Sequence, residues 1–191
     1  MFFLSQVLVP TTSDSLSAEF RTRCSFSVMS VVTPPLSALE VALLTDTIGV
    51  GNKGANTALA WTQLDLNTVD VEQPWVTLAS NQFTLDPGLY SLDWNVQMYN
   101  CGRVSTRLFD VTNGVRVGTG VSVTTSNNPP DSFMAVTLPG AHVQTVTSRT
   151  TFELQYFAST TNANGLGLGV DFAGVQFNVM RQLKITKLKS I

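Results

Sequence analysis

The sequence predicts an all-β protein: an antiparallel jelly-roll sandwich of about ten strands, preceded by an N-terminal extension. Three observations lead there. Apolar and polar residues alternate in several separate runs, the period of a strand with one buried face. Gly, Pro, Asn and Asp punctuate the intervals between those runs. The runs are short and follow one another in the manner of a sandwich or barrel, not of alternating β and α units.

Residues 1–55 differ in texture from the rest and read as an N-terminal arm or docking module. They open on an apolar patch, Met1 to Pro10, and pass through a Ser/Thr-rich stretch, Thr11 to Ser17. A strand pattern around Cys24 to Val32 is broken by Pro34-Pro35. Leu36 to Leu44 fits a short helix or a strand equally well. Gly49, Gly51, Asn52 and Gly54 then form a flexible joint.

The body, residues 56–191, starts near Ala58-Leu59-Ala60-Trp61. Trp75 to Ala79 and Gln82 to Leu85 are short edge-like strands, and Asp86-Pro87-Gly88 is a turn. Tyr90, Leu92, Trp94, Val96 and Met98 then fall on one face of a strand whose other face is Ser91, Asp93, Asn95 and Gln97. Arg103 to Val111 and Val115 to Thr125 flank Asn113-Gly114, which reads as a type I′ hairpin turn with both central residues at positive φ. Phe133 to Leu138 is another strand, and Pro139-Gly140 is expected to break it. Thr150 to Ser159 and Gly174 to Leu188 complete the set. Phe152, Leu154, Tyr156 and Ala158 face one way in the first of these; Val175, Phe177 and Val179 do so in the second.

The bulk numbers narrow the function classes. Charged residues are only 13% of the chain, so its polar surface is Ser, Thr, Asn and Gln; interface cores and many extracellular or viral β proteins share this trait. Residues 1–100 hold three bases against nine carboxylates, and residues 101–191 hold eight against four. Such asymmetry suits attraction between neighbouring subunits and equally suits two faces of one solvated body. Cys24 and Cys101, the only cysteines, form no disulfide framework and are expected as free thiols. The opening patch lacks the basic flank and cleavage site of a signal peptide, and no stretch reaches ~18 apolar residues, so no membrane insertion is expected.

No catalytic constellation emerges, and no cofactor or metal site is expected. His142 is the only histidine and reads as a loop residue, with no Gly-x-Ser-x-Gly elbow in the chain. Gly165, Gly167 and Gly169 precede no helix that would cradle a phosphate. Asp110, Asn113 and Gly114 resemble a calcium-loop fragment without its spacing. Arg181, Lys184, Lys187 and Lys189 form a basic stretch, read as solvation and edge protection and not as a nucleic-acid site. The carboxylates Asp110, Asp131, Glu153 and Asp171 are too scattered to pair for polymer hydrolysis.

Five blocks then carry a resemblance: Trp61 to Thr68, Asn81 to Tyr90, Arg107 to Gly114, Thr151 to Tyr156 and Leu183 to Ile185. In order and spacing, over about residues 57 to 188, they resemble the TNF-like, complement-globular-head type of jelly roll found in tailed-bacteriophage virion proteins. The resemblance implies a non-enzymatic homotrimer with one sheet around the threefold axis. Neither a collagen-like stem nor a membrane anchor accompanies it, which favours the virus side. The expectation is a virion protein that decorates or cements the capsid through its arm, touching the major capsid protein or tail proteins. The alternative is the receptor-binding tip of a tail fibre or spike that recognises a host surface glycan or protein. Tyr99, Tyr156 and Phe177 are expected at the trimer interface or else in the sandwich core. Phe2, Phe3, Leu4, Val7 and Leu8 are expected to dock the arm on the particle.

Overall fold

The computed structural model describes residues 39–48, 51–52, 54–124, 135–166, 168–169 and 178–191. These form strands β1 (Glu40–Ile48), β2 (Gly51–Asn52), β3 (Trp61–Gln63), β4 (Thr68–Val71), β5 (Val76–Ala79), β6 (Gln82–Leu85) and β7 (Gly88–Tyr99). They continue with β8 (Arg103–Asp110), β9 (Val115–Thr124), β10 (Ala135–Val146), β11 (Thr150–Ala158), β12 (Leu168–Gly169) and β13 (Asn178–Lys189). One sheet runs β10-β7-β13-β1-β4 and the other β5-β6-β11-β8-β9, with β3 also on β11; β12 pairs β2 separately. Every pairing is antiparallel.

The alternation read in the sequence sets what is inside. Tyr90, Leu92, Trp94, Val96 and Met98 of β7 meet Phe152, Leu154, Tyr156 and Ala158 of β11 in one core, joined by Leu183 and Ile185 of β13. Phe83 and Phe152 stack with centroids 5.7 Å apart. Trp94 places its indole N–H on Thr106 Oγ1 at 3.0 Å, which satisfies the one donor that its burial would otherwise strand. Glycine is required around this ring: a Cβ on Gly140 would lie 2.0 Å from Trp94 Cε2.

Four expectations are corrected. β1 lies within the stretch assigned to the arm, yet it is an interior strand of the five-stranded sheet, paired with β13 over Glu40 to Ile48 and with β4. Ala42 and Leu44 are fully buried in the core, so the body begins at Ser37 and not at residue 56. Leu36 to Leu44 is therefore resolved as strand from Glu40 onward; residues 1–38 lie outside the described residues.

Pro139-Gly140 does not break a strand. β10 runs through it in register with β7, Pro139 opposite Asn95 and Gly140 opposite Trp94. β10 is an edge strand, where a missing N–H costs no ladder bond. His142 is accordingly a strand residue opposite Leu92, its Nε2 3.1 Å from Gln144 Oε1, and not a loop residue.

The type I′ turn is not at Asn113-Gly114. Only Gly114 there has positive φ, at 69°, and the connection is a four-residue turn, Val111 to Gly114. Asp110 fastens it by accepting from Asn113 N at 2.9 Å and Asn113 Nδ2 at 2.7 Å, so its carboxylate is committed to the turn. The two-residue hairpin instead joins β5 to β6: Ala79 pairs Gln82 across Ser80 and Asn81, with φ of 53° and 63°.

Candidate interaction faces

The two outer faces of the sandwich differ in chemistry. On the five-stranded sheet, the outward positions of β7 from Ser91 to Gln97 stand opposite Thr137, Pro139, Ala141 and Val143 of β10. On their other side they stand opposite Gln182, Lys184 and Thr186 of β13, which in turn oppose Thr45, Leu43 and Val41 of β1. Asp93 and Lys184, in register with each other, are the two charges in this block. Apart from that pair of opposite charges the block is uncharged, the texture of surface that buries readily against another protein.

The six-stranded sheet presents arginines and aromatic rings instead. Along β8, Arg103, Ser105, Arg107 and Phe109 point outward while Val104, Thr106 and Leu108 are buried. Phe157 of β11 stands opposite both Ser105 and Trp61 of β3. The rings of Trp61 and Phe157 lie 5.7 Å apart. The Arg107 guanidinium sits over the Trp61 ring at 4.2 Å and over the Phe109 ring at 5.0 Å, a cation–π arrangement with two rings. Trp61 remains 38% exposed.

A polar chain backs this stack. Arg107 Nε donates to Gln155 Oε1 at 2.7 Å, Gln155 Nε2 donates to Glu153 Oε1, and Gln82 Nε2 donates to Glu153 Oε2 at 2.9 Å. Both Glu153 oxygens are thus occupied by amides, and the residue is nearly buried. Burial, and behind it the Arg116 charge, pull the Arg107 guanidinium below its ordinary value against the opposing influence of Glu153. Beside the stack, Arg103, Val104, Ser105, Ser122, Val123, Thr124 and Phe157 line a shallow hollow of about 340 Å³.

The residues singled out from sequence are dispersed. Tyr156 is 1% exposed in the core and its hydroxyl accepts from Thr57 N at 2.8 Å, so it offers no surface to a second subunit. Tyr99, at the end of β7, is 8% exposed and its N–H donates to the Gly165 carbonyl. Phe177, Phe2, Phe3, Leu4, Val7 and Leu8 lie outside the described residues, as do Asp131, Asp171 and Cys24. Cys101 is a free, buried thiol held against the Tyr99 and Gly165 carbonyls.

The C-terminal basic stretch does not act as a unit. Arg181 is buried, Lys184 is on the neutral face, and Lys187 lies 5.9 Å from the Trp75 ring centroid. Gly165 packs where a Cβ would strike Asn56 Oδ1, a structural demand and not a phosphate cradle. Among the described residues no three His, Cys, Asp or Glu side chains come together, and no helix is long and apolar enough to cross a membrane.

The Trp61–Arg107–Phe109 stack is what the sequence reading missed. Its signal was present in the polar half of the β8 alternation, where a half-buried strand ordinarily carries Ser, Thr or Lys and this one carries Arg and Phe. Assigning Trp61 to the same patch needed the β3–β11 pairing, which is not local in sequence.

No family model matches the sequence, and no curated protein matches it either. Solved structures do match in fold. Murine APRIL at pH 8.5 aligns with a TM-score of 0.51 at 11% identity, over 79% of this chain and 100% of that one. Murine APRIL at pH 5.0 gives 0.50 at 10% identity over the same shares. The fold is a TNF-like jelly roll. The globular domain of zebrafish complement 1qA aligns less closely, with a TM-score of 0.43 at 14% identity, over 76% of this chain and 91% of that one. In this TNF-like sandwich the neutral face belongs to the sheet that contains both the first and last strands described, β1 and β13.

Proposed function

We propose that this TNF-like chain is a non-enzymatic structural protein of a tailed-phage particle, a homotrimeric knob that decorates or cements the capsid through its N-terminal arm. The observation that carries the assembly is the neutral outer face of the five-stranded sheet. Three copies packed through it around a threefold axis bury small and amide side chains, and the Asp93–Lys184 pair supplies the charges. The phage location is supported by the five sequence blocks and by the low charge of the chain. The arm, with Phe2, Phe3, Leu4, Val7 and Leu8, is the segment proposed to engage the major capsid protein or the tail.

Light scattering on the purified chain tests the assembly. A mass three times 20.6 kDa is expected, and a monomer at micromolar concentration contradicts it. An Ala141→Arg substitution, on the edge strand of the neutral face opposite Asp93, is expected to dissociate the trimer while leaving the monomer folded. Copy number per purified particle tests the location: hundreds of copies fit capsid decoration, and a few to a few dozen fit a tail.

A second reading, the receptor-binding tip of a tail fibre or spike, is favoured by the Trp61–Arg107–Phe109 stack. Exposed Trp and Arg are the residues on which binding energy concentrates. In a trimer closed through the neutral face, this stack remains on the opposite sheet.

A further inference from the structure

We infer that the outer face of the six-stranded sheet, from Trp61 across Arg107 to Arg103, is a binding site for an acidic polysaccharide whose carboxylates meet the guanidinium groups. The assignment is independent of where the protein resides. Charge is the first reason. Arg103, Arg107 and Arg116 all lie on β8 and β9, and among the described residues none of them forms an ion pair. Among the described residues the carboxylate that acts on Arg107, Glu153, has both oxygens taken by Gln82 and Gln155. Burial lowers Arg107 most, and repulsion from the Arg116 charge adds to it. An anion placed between them removes that repulsion and gains charge-assisted hydrogen bonds.

The second reason is shape and surface chemistry. Trp61, 38% exposed, leaves part of its indole open to solvent beside the Arg107 guanidinium. The hollow beside it is floored by Phe157 and edged by Ser105 and Ser122, whose hydroxyls already bond each other at 2.9 Å. A sugar ring has apolar C–H faces for the indole and hydroxyls for serine and amide groups, and a uronate adds the carboxylate. Orienting polar groups around an aromatic surface is the usual make-up of a small-molecule site. The hollow, at about 340 Å³, has room for one or two such rings. A nucleic acid fits less well: among the described residues Trp61 is the one exposed aromatic ring, whereas single-strand binding stacks successive bases on several.

The test is titration of the full chain with oligogalacturonate, followed by tryptophan emission. Trp75 and Trp94 are buried, so Trp61 dominates a response to an external ligand. Saturable quenching is expected, with neutral dextran of similar length giving none. Trp61→Ala and Arg103→Gln are each expected to weaken binding about tenfold, the latter read by calorimetry as well. Arg103 is exposed and its side chain makes no bond among the described residues, so its removal leaves the fold intact and keeps the test valid even if Trp61→Ala destabilises the protein. Three results overturn the site: no binding, equal binding of dextran, or unchanged affinity in Arg103→Gln. Equal binding of polyglutamate or of an oligonucleotide with matched charge overturns the carbohydrate assignment and leaves an unspecific anionic patch.

Discussion

Asp46 of β1 and Arg181 of β13 form an ion pair with both side chains fully withdrawn from solvent. Asp46 also accepts from Asn67 Nδ2 at 2.9 Å, and Arg181 Nη2 donates to the Leu166 carbonyl at 2.7 Å. The pair therefore ties the first and last strands described to the turn before β4 and to the loop after β11. It coincides with a register shift in β1 between Asp46 and Thr47.

Removing one partner should be far worse than removing both. Asp46→Ala leaves a buried guanidinium without its counter-charge, a loss of roughly 3–5 kcal/mol, or roughly 10 °C in unfolding temperature for a body of this size. Asp46→Leu combined with Arg181→Met should recover most of that loss, because the interior then holds no unpaired charge. Calorimetric melts of both single variants and the double variant decide the matter. Additive losses would mean that the pair has no special coupling.

The placement of β1 changes what a truncation of the arm does. Deleting residues 1–36 leaves the unit from Ser37 intact and should preserve a cooperative melt. Deleting residues 1–55 also removes β1, with buried Ala42, Leu44 and Asp46, and exposes the β13 edge; the product should be insoluble or lack cooperative unfolding. Circular dichroism of the two products distinguishes them. A folded 56–191 fragment would show that β1 is dispensable.

The strands with one clean alternation were legible: every inward residue expected on β7 and β11 is in the core. What was not legible depended on partners distant in sequence. β1 reads ambiguously because Leu43 and Leu44 are both apolar; only its pairing between β13 and β4 fixes which side each takes. Pro139 and Gly140 look like a break until β10 is known to be an edge strand passing over Trp94. Tyr156 has two possible sides in sequence, as any aromatic residue on an alternating strand does, and the fold buries it with its hydroxyl on Thr57 N. The Trp61–Arg107–Phe109 stack joins β3 and β8, two strands brought together by their pairing with β11.

The β5–β6 turn leaves stability to be gained. Ser80 sits at a φ of 53°, where serine is strained and asparagine is tolerated. Its neighbour Asn81 should stay, since its side chain donates to Asp65 Oδ1 at 3.0 Å. Ser80→Asn should raise stability by about 0.5 kcal/mol, and Asn81→Ala should lower it by more, through strain plus the lost bond. Urea melts of both variants check the order; stabilisation by Asn81→Ala would contradict the turn geometry.

The pH dependence should show a loss on the alkaline side, from two groups in the core. Burial pushes the Cys101 thiol up from its ordinary 9.0 to about 11, opposed only by its hydrogen bond to the Tyr99 carbonyl. Burial, with the Asp86 and Glu40 charges behind it, pushes the Tyr90 hydroxyl from 10.0 up to about 12, and that hydroxyl donates to the Asp86 carbonyl at 2.8 Å. In both cases the folded chain keeps a proton that the unfolded chain releases earlier. The unfolded state therefore binds fewer protons between the two values, and stability falls as pH rises. Below pH about 9 both contributions are complete; they drain away as pH climbs through about 11 and then about 12. Urea melts from pH about 8 to about 11.5 should trace this decline. Cys101→Ala should be less stable at neutral pH yet show a shallower slope above pH about 9, and Tyr90→Phe a shallower slope above pH about 10. Slopes identical to the parent in both variants would mean that neither proton is held by the fold.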